Sequence, residues 1–409
     1  MDTLLDRFCR YVKVDTTAVE EPVKYPSCPG QFELGKILAE EMKALGLQDV
    51  NTSEFGIVMG TIPGNVEGAP TIAWLAHMDT SPEASGKDVK PNIIKNYDGG
   101  DITLPADKSK VIKVAETKGL AELKGKTVIT ADGTTLLGAD DKAGVAVIMT
   151  TAAHLMANPN IKHGPIRVVF TTDEEVGRGT DKVDIKAINA QCAYTLDGEG
   201  AGELENETFS ADLATVTITG VNIHPGLAFG KMVNAIRVTG DFLSRLPREM
   251  SPEATKDRDG FLHPYVLEGG VPEARIKILL RSFDSNELPK QAAILKELAA
   301  ATEKDWPRVK INVEVTKQYR NMVEALNQEP RAVKLAEQAF KNIGVPPKFA
   351  SIRGGTDGSR LSEMGLPTPN LSTGMHNFHS PLEFACLEQM ESAVKMLTEL
   401  AQLWGKEKA

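Results

Sequence analysis

The sequence predicts an α/β protein in which a catalytic domain, with a mostly parallel central sheet flanked by helices, carries an inserted ferredoxin-like α+β domain. Three observations lead to this prediction. Short apolar runs such as "TIAWLAHMDT" and "IRVVFTT" alternate with helical stretches, which is typical of layered folds with a parallel sheet. Near residue 208 the order of elements becomes β-α-β-β-α-β, as in ferredoxin-like domains. After about residue 318 the first pattern returns.

The domain bounds follow from these changes of pattern. Residues 1–207 and 319–409 are predicted to form the catalytic domain, and residues 208–318 the inserted domain, which would act as a lid or in dimerisation. In the first part, "TLLDRFCRYVKV", "GQFELGKILAEEMKALG" and "KAGVAVIMTTAAHLM" have helical apolar spacing. The runs "GIVMGTIPG" and "CAYTLDG" add strands. The polar segment from Ser81 to Thr130 is predicted to be an inserted loop with a hairpin.

The later elements follow in order. In the inserted domain, the predicted elements are the strand "ADLATVTITG", the helix "KMVNAIRVTGDFLSRL", the strands "GFLHPYVLEGGV" and "EARIKILLRSF", the helix "LPKQAAILKELAAATEKD" and the strand "RVKINVEVT". The catalytic domain then resumes with the helix "PRAVKLAEQAFKNIG", the strand "PKFASI", a helix near "DGSRLSEMG", the strand "TPNLST" and a final helix from Leu387.

Composition argues against several classes of protein, among them nucleic-acid-binding and membrane-spanning proteins. The chain has 409 residues, a formal net charge of -10, 41% hydrophobic residues and 25% charged residues. An acidic balance argues against nucleic acid or an anionic membrane as the main partner. No apolar run approaches the ~18 residues of a membrane span, and the N-terminus lacks the apolar core of a signal peptide. The four cysteines show no CxxC pair, so buried free thiols in a reducing cytoplasm are expected.

Candidate metal ligands follow five predicted strands. Active sites of open parallel sheets lie beyond the carboxyl ends of the strands. The residues at these ends are His77 and Asp79; Asp140 and Asp141 after "TTLLG"; Asp173, Glu174 and Glu175; Asp197; and His376 and His379.

Each of these motifs alone is common on an ordinary surface, as a polar pair, a helix cap or a turn. Their joint occurrence indicates a metal site, because mixed histidine and carboxylate ligands suit zinc, cobalt or manganese. No cysteine belongs to the set, which disfavours a structural thiolate site.

The motifs "HMDT", "LLGADDKAG", "TTDEEVGRG", "LDGEGAGE", "NIHPG", "RGGTDG" and "NFHSPLEF" resemble those of the two-metal peptidases of the M20 family. The resemblance runs from the first helix to the last. The segment "NIIKNYDGGDI" is particular to the tripeptide aminopeptidases among these relatives. The resemblance therefore implies an enzyme that releases the N-terminal residue from tripeptides, with two Zn²⁺ per chain and Co²⁺ or Mn²⁺ as substitutes.

The family pattern also implies a role for each ligand. His77 would bind the first zinc, and Asp140 would bridge both. Asp197 would complete the first site, and Glu175 and His379 the second. A cis peptide bond is expected between Asp140 and Asp141.

Other residues would act around the metals. Glu174 would be the general base that takes a proton from the attacking water. Asp79 would hold the His77 imidazole through its other nitrogen. His224, in "NIHPG", would supply a donor to the oxyanion, in the family often across a homodimer formed through the inserted domain. Asp173 is interpreted as a turn or cap residue.

Substrate contacts are predicted less directly. Arg353 and Arg281 are candidates to pair with the substrate carboxylate, and Asn234 is a weaker candidate. The glycines after Arg353 suggest close approach of the backbone to a ligand. His376 would either support a ligand or line the cleft.

Two alternatives stay open at this point. One is another M20 chemistry, that of a dipeptidase, a carboxypeptidase or an N-acyl amino acid deacylase. The other is a metal-binding homologue that has lost catalysis, which the presence of all five ligands and Glu174 disfavours.

Overall fold

The computed structural model describes residues 2–20 and 23–409, and these divide into two compact units. Unit 1 comprises the chain up to Asn206 together with Met322–Ser351 and Thr356–Ala409. Unit 2 comprises Glu207–Asn321 and the short segment Ile352–Gly355. This segment, which holds Arg353, therefore groups with unit 2, whereas the sequence pattern placed it in the catalytic domain.

The strands, numbered in chain order, are β1 (Gln48–Thr52), β2 (Val58–Ile62), β3 (Ile72–His77), β4 (Asn92–Ile94), β5 (Ile102–Thr103), β6 (Val111–Ile112), β7 (Val128–Thr130), β8 (Ile166–Thr171), β9 (Cys192–Glu199), β10 (Glu203–Thr208), β11 (Ser210–Thr219), β12 (Phe261–Gly269), β13 (Glu273–Ser282), β14 (Lys310–Tyr319), β15 (Lys348–Ile352), β16 (Asn370–His376) and β17 (Phe384–Cys386).

The helices, numbered in the same way, are α1 (Leu4–Tyr11), α2 (Gly30–Leu45), α3 (Ala139–Ala157), α4 (Ile185–Ile188), α5 (Ala235–Ser244), α6 (Glu287–Asp305), α7 (Val323–Leu326), α8 (Arg331–Asn342), α9 (Asp357–Glu363) and α10 (Leu387–Trp404).

Unit 1 is built on one large sheet. Its strand order is β1-β2-β8-β3-β9-β16-β17-β7-β4, with β10 beside β16 and β15 beside β10. The four central strands, β8, β3, β9 and β16, run parallel, and the flanking pairs are antiparallel. The predicted fold class is confirmed, and the parallel arrangement is concentrated at the centre of the sheet.

Burial explains why the central strands read as apolar runs. All six residues of β3 are buried, as expected of a parallel strand covered on both faces. Helix α3 packs against β3 and β9, and its sequence is apolar on nearly every side because it is buried along most of its length. The carboxyl ends of four strands thus meet at one edge, which is where ligands of such sheets bind.

Unit 2 has the predicted order of elements. Its antiparallel sheet has the order β12-β13-β11-β14, which is the ferredoxin-like arrangement. Alternate residues of β13 are buried and join a core with α5 and α6. Strand β12 lies at the edge of this sheet.

Three local expectations differ from the structure. The segment "TTLLG" before Asp140 is not a strand, although its apolar residues are buried like those of one. Helix α5 begins at Ala235 rather than near Lys231, because Asn234 caps it. All four cysteines are free, but only Cys192 and Cys386 are buried.

In the described ranges, no helix has the length and apolar character needed to span a membrane.

Candidate metal and catalytic site

Unit 1 brings the five predicted ligands to one edge of the sheet. His77 is the last residue of β3, and Asp197 lies near the end of β9. Asp140 is the second residue of α3. Glu175 belongs to a 3₁₀ turn, Glu174–Val176, that follows β8. His379 comes three residues after β16 with a left-handed backbone, φ 59°.

Asp140 connects the two histidines. Its Oδ1 lies 2.9 Å from His77 Nε2, and its Oδ2 lies 3.2 Å from His379 Nε2. The carboxylate of Asp197 is 3.7 Å from the same His77 nitrogen, and that of Glu175 is 2.8 Å from His379 Nε2. The peptide bond between Asp140 and Asp141 is cis, as the resemblance implies. One carboxylate therefore faces two histidine–carboxylate pairs.

Asp79 acts mainly on the 3₁₀ turn. Its two carboxylate oxygens accept hydrogen bonds from the backbone N–H groups of Glu174 and Glu175, at 3.1 and 3.0 Å. His77 Nδ1 lies 3.1 Å from the Asp79 backbone carbonyl and 3.5 Å from its Oδ1. The expected hold on the imidazole thus comes largely from the Asp79 backbone oxygen, while the Asp79 side chain fixes the backbone of Glu174 and Glu175.

Asp173 stands at the cap position of the 3₁₀ turn, as expected, but its buried side chain makes no cap hydrogen bond and serves as an anchor. It has a left-handed backbone, φ 62°, and its side chain is fully buried. The carboxylate accepts hydrogen bonds from the backbone N–H of Ser27, at 2.8 Å, and from Gln31 Nε2, at 2.7 Å. Two of the three acids of "TDEE" are therefore separated: Asp173 faces the start of α2 and the residues before it, and Glu175 faces His379.

Sequence reasoning missed one carboxylate beside the site, Glu383, and listed a second, Asp141, without giving it a role. Asp141 Oδ2 accepts the backbone N–H of His77 and its Oδ1 that of Gly144, both at 3.2 Å. Glu383 accepts backbone N–H groups of the loop before Asp140. Both residues lie in the motifs "LLGADDKAG" and "NFHSPLEF", but a sequence carries no signal for a carboxylate whose partners are backbone groups far along the chain.

Burial shifts the protonation of the cluster. Burial raises the pKa of Glu175 to about 8 and that of Asp197 to about 7, with the charge of Asp140 adding to both. Burial, then the neighbouring acids, also raises the pKa of Glu174 well above its usual range. Hydrogen bonds to Asp140 and then to Glu175 raise the pKa of His379 to about 11. The carboxylates repel one another, so the protonated form of each carboxyl group is favoured without a cation. A bound cation would neutralise their charges instead.

The donor set fits a metal ion. His77, Asp140 and Glu175 offer ligand atoms within 4.8 Å of one another, and so do His77, Asp141 and Asp197. Because both oxygens of Asp141 already accept backbone N–H groups, Asp140 is the better ligand of the two. Glu175 Oε1 is buried without a hydrogen-bond partner in the described chain, which is costly unless a ligand satisfies it. Imidazole and carboxylate donors suit zinc, cobalt and manganese.

His376 lies apart from this cluster. Its Nε2 is 2.7 Å from Gln389 Oε1 and its Nδ1 is 3.2 Å from Glu199 Oε1. Its ring stacks on Phe384 at 4.7 Å. Both nitrogens and the ring face are thus engaged, so His376 supports the end of β16.

The two candidate arginines belong to unit 2 and differ in their contacts. The Arg353 guanidinium donates to the carbonyls of Asp257 and Asp259, at 2.8 and 3.1 Å, and lies over the ring of Phe209. Arg281 donates to Gln318 Oε1 at 3.0 Å. Arg281 therefore keeps more of its five donors available.

The glycines after Arg353 serve packing. A Cβ at Gly355 would lie 2.4 Å from the ring of Tyr319, so an aromatic side chain accounts for the close backbone approach that the sequence pattern suggested for a ligand.

Two further candidates in unit 2 occupy cap positions. Asn234 Oδ1 accepts the backbone N–H of Ile236 at 2.9 Å, so its carboxamide oxygen is used by α5. His224 is exposed, and its Nδ1 accepts the backbone N–H of Gly226 at 3.2 Å. Its Nε2 is the nitrogen left for a ligand.

Comparison with known proteins identifies a family, and relatives that match this chain over nearly its whole length. The model of Peptidase family M20/M25/M40 matches residues 125–403. A protein of Geobacillus thermodenitrificans (strain NG80-2) named Peptidase T is 45% identical over 402 residues, which is 98% of each chain. The Peptidase T of Bacillus subtilis (strain 168) is 44% identical over the same shares. The crystal structure of an aminopeptidase PepT from Bacillus cereus ATCC 10987 matches 98% of each chain, with a TM-score of 0.76 and 25% identity.

Proposed function

The chain belongs to peptidase family M20/M25/M40, and within it to the peptidase T group, and on this basis we propose that it is a metal-dependent tripeptide aminopeptidase. This membership confirms the resemblance found in the sequence motifs. The observation that carries the chemistry is Asp140, whose two oxygens face His77 and His379 separately. This arrangement supports a role for Asp140 as a carboxylate that would be shared by two metal ions.

We assign the two metal positions as follows. His77, Asp140 and Asp197 would hold one ion, and Asp140, Glu175 and His379 the other. Zn²⁺ is our choice, with Co²⁺ or Mn²⁺ as substitutes, because the ligands are imidazole and carboxylate. Two such ions polarise a carbonyl and lower the pKa of a bound water towards neutrality.

Glu174 is the general base in this proposal. Its backbone N–H donates to Asp79 at 3.1 Å, which fixes the turn that carries the carboxyl group, while the neighbouring Glu175 pairs with His379. Burial keeps the pKa of Glu174 high, so the group can both take a proton from water and return it to the leaving amine.

Substrate recognition is assigned to unit 2. Arg281 is the better reader of the substrate carboxylate, because Arg353 already donates to two carbonyls and a hydroxyl of its own unit. His224 would donate to the oxyanion through Nε2. Asn234 could contact a substrate only through its side-chain NH₂ group, because its oxygen caps α5.

We also propose a cytoplasmic homodimer. The free cysteines are consistent with a reducing compartment. Unit 2 exposes Leu227, Phe229 and Ile236 and the edge strand β12, and such surfaces are frequent at interfaces. Sedimentation at micromolar concentration should give twice the 44.2 kDa of the chain; a monomer would contradict the dimer.

A peptide-length series tests the activity. The Zn²⁺-loaded protein is assayed with di-Ala, tri-Ala, tetra-Ala and an N-acyl amino acid, and the products are separated. Release of free alanine and di-Ala from tri-Ala, with much slower cleavage of the other substrates, is expected. Fastest cleavage of di-Ala or of the N-acyl amino acid would instead indicate a dipeptidase or a deacylase. No hydrolysis by protein with two bound metals would favour the non-catalytic alternative.

A further inference from the structure

Glu383 ties together the two loops that carry Asp140 and His379. Its carboxylate is almost fully buried, with 1% of the residue exposed. One oxygen accepts the backbone N–H groups of Leu137 and Gly138, both at 2.7 Å. The other accepts the backbone N–H of Asp140 at 2.9 Å. A carboxylate that accepts three N–H groups makes strong, charge-assisted hydrogen bonds.

Because of the position of Glu383 in the chain, these hydrogen bonds also join two separate segments of the site. It follows His379 by four residues in "HSPLEF" and directly precedes β17, which pairs with β16 and β7. The carboxylate therefore links the His379 loop to the backbone of Asp140. These are the two loops whose side chains meet at 3.2 Å.

We propose that Glu383 is a positioning residue that sets the distance between Asp140 and His379 and thereby the affinity of the second metal position. This inference rests on the two-metal site proposed above. Glu383 touches no metal ligand side chain, so its effect passes through the backbone. Partners of this kind typically change metal affinity 10- to 100-fold when they are replaced.

A matched control exists five residues further along. Glu388 also receives a backbone N–H with both carboxylate oxygens, that of Thr127 at 3.0 and 2.8 Å. Thr127 precedes β7 and does not lie in the loop of Asp140. Glu388→Gln therefore removes a similar interaction and a similar charge, but not the link between the two metal-binding loops.

The test is a titration of the metal-free full chain with Zn²⁺ alone, by calorimetry, for the wild type, Glu383→Gln and Glu388→Gln. Two sites are expected in the wild type. Glu383→Gln should raise the dissociation constant of the second site about 10- to 100-fold and that of the first site, which shares Asp140, by less, while Glu388→Gln leaves both nearly unchanged. At saturating Zn²⁺, Glu383→Gln should recover most of kcat with an unaltered KM.

Several results would overturn this assignment. Equal Zn²⁺ affinities in Glu383→Gln and the wild type, or equal losses in the two variants, would show that Glu383 serves general stability only. A wild type that binds fewer than two Zn²⁺ would contradict the two-metal site itself and this inference with it. If Glu383→Gln does not fold, Glu383→Asp keeps the charge but is one methylene shorter, and it should show a smaller loss at the same site; wild-type affinity in Glu383→Asp would refute the proposal.

Discussion

Replacing Glu174 and Glu175 separately by Gln should separate catalysis from metal binding. The two residues are neighbours in one 3₁₀ turn, and Asp79 holds both backbone N–H groups. Gln keeps the size of each side chain and removes only its charge and its ability to accept a proton. Any difference between the two variants therefore reports on what each carboxylate faces, rather than on the turn that carries them.

The magnitudes follow from these surroundings. A general base contributes ~10²–10⁴-fold, or about 3–5 kcal/mol of transition-state stabilisation, so Glu174→Gln should lose that factor in kcat and keep both Zn²⁺. Glu175 lies 2.8 Å from His379 Nε2, and its side chain is 3% exposed. If Glu175 is a ligand, as proposed, Glu175→Gln should weaken binding of the second Zn²⁺ at least ~100-fold, beyond the effect of an outer partner.

The assay combines metal analysis after dialysis with turnover of tri-Ala at increasing Zn²⁺. Glu175→Gln should regain activity as Zn²⁺ rises, whereas Glu174→Gln should not respond to added metal. Turnover of Glu174→Gln within tenfold of the wild type would remove it from the role of base. Equal loss of metal in both variants would refute the division between them.

Three further outcomes are expected. Asp79→Asn leaves one of the two N–H groups of the turn without an acceptor, so it should lower the free energy of unfolding by about 1–3 kcal/mol and kcat by more than tenfold; unchanged thermal unfolding and kcat would contradict this. Arg281→Met should lower kcat/KM more than tenfold on a free tripeptide and little on its C-terminal amide, whereas Arg353→Met should mainly lower thermal stability; equal losses on acid and amide in both variants would exclude a role for either in reading the carboxylate. Zn²⁺ added at pH 7 should release protons, because the pKa of Glu175 is raised to about 8 and that of His379 to about 11 without metal; Zn²⁺ affinity should therefore rise with pH, most steeply below about pH 8, and a calorimetric enthalpy independent of the buffer would contradict it.

The sequence predicted the sheet, and the residues that meet at its edge, for one physical reason. Strands buried on both faces must be apolar throughout, so a polar residue such as His77 or Asp197 marks the point where the strand leaves the core. Because the central strands run parallel, their carboxyl ends, and the polar residues found there, lie at the same edge of the sheet. The same reasoning treated "TTLLG" as a strand, because buried loop residues are as apolar as strand residues.

The residues that sequence reasoning could not place act through the backbone. Glu383 and Asp140 are 243 positions apart, and the partners of Asp173 lie 142 to 146 positions before it. Arg353 is held by carbonyl groups about 95 positions away. Every residue carries an N–H and a C=O except proline, which lacks the N–H, so side-chain identity gives no indication of which backbone groups a buried carboxylate or guanidinium will meet.

The strand order has a consequence for synthesis of the chain. Strand β16, made late, lies between β9 and the β17-β7-β4 flank, all paired in one sheet. Until residue 386 has left the ribosome, β7 and β4 have no connection through the sheet to β9, and neither His379 nor Glu383 is available. The strands of unit 2 are complete by Tyr319. A nascent chain can therefore contain a finished ferredoxin-like sheet while the residues of the metal site are still incomplete, so hydrolytic activity is not expected before residue 386 has been made.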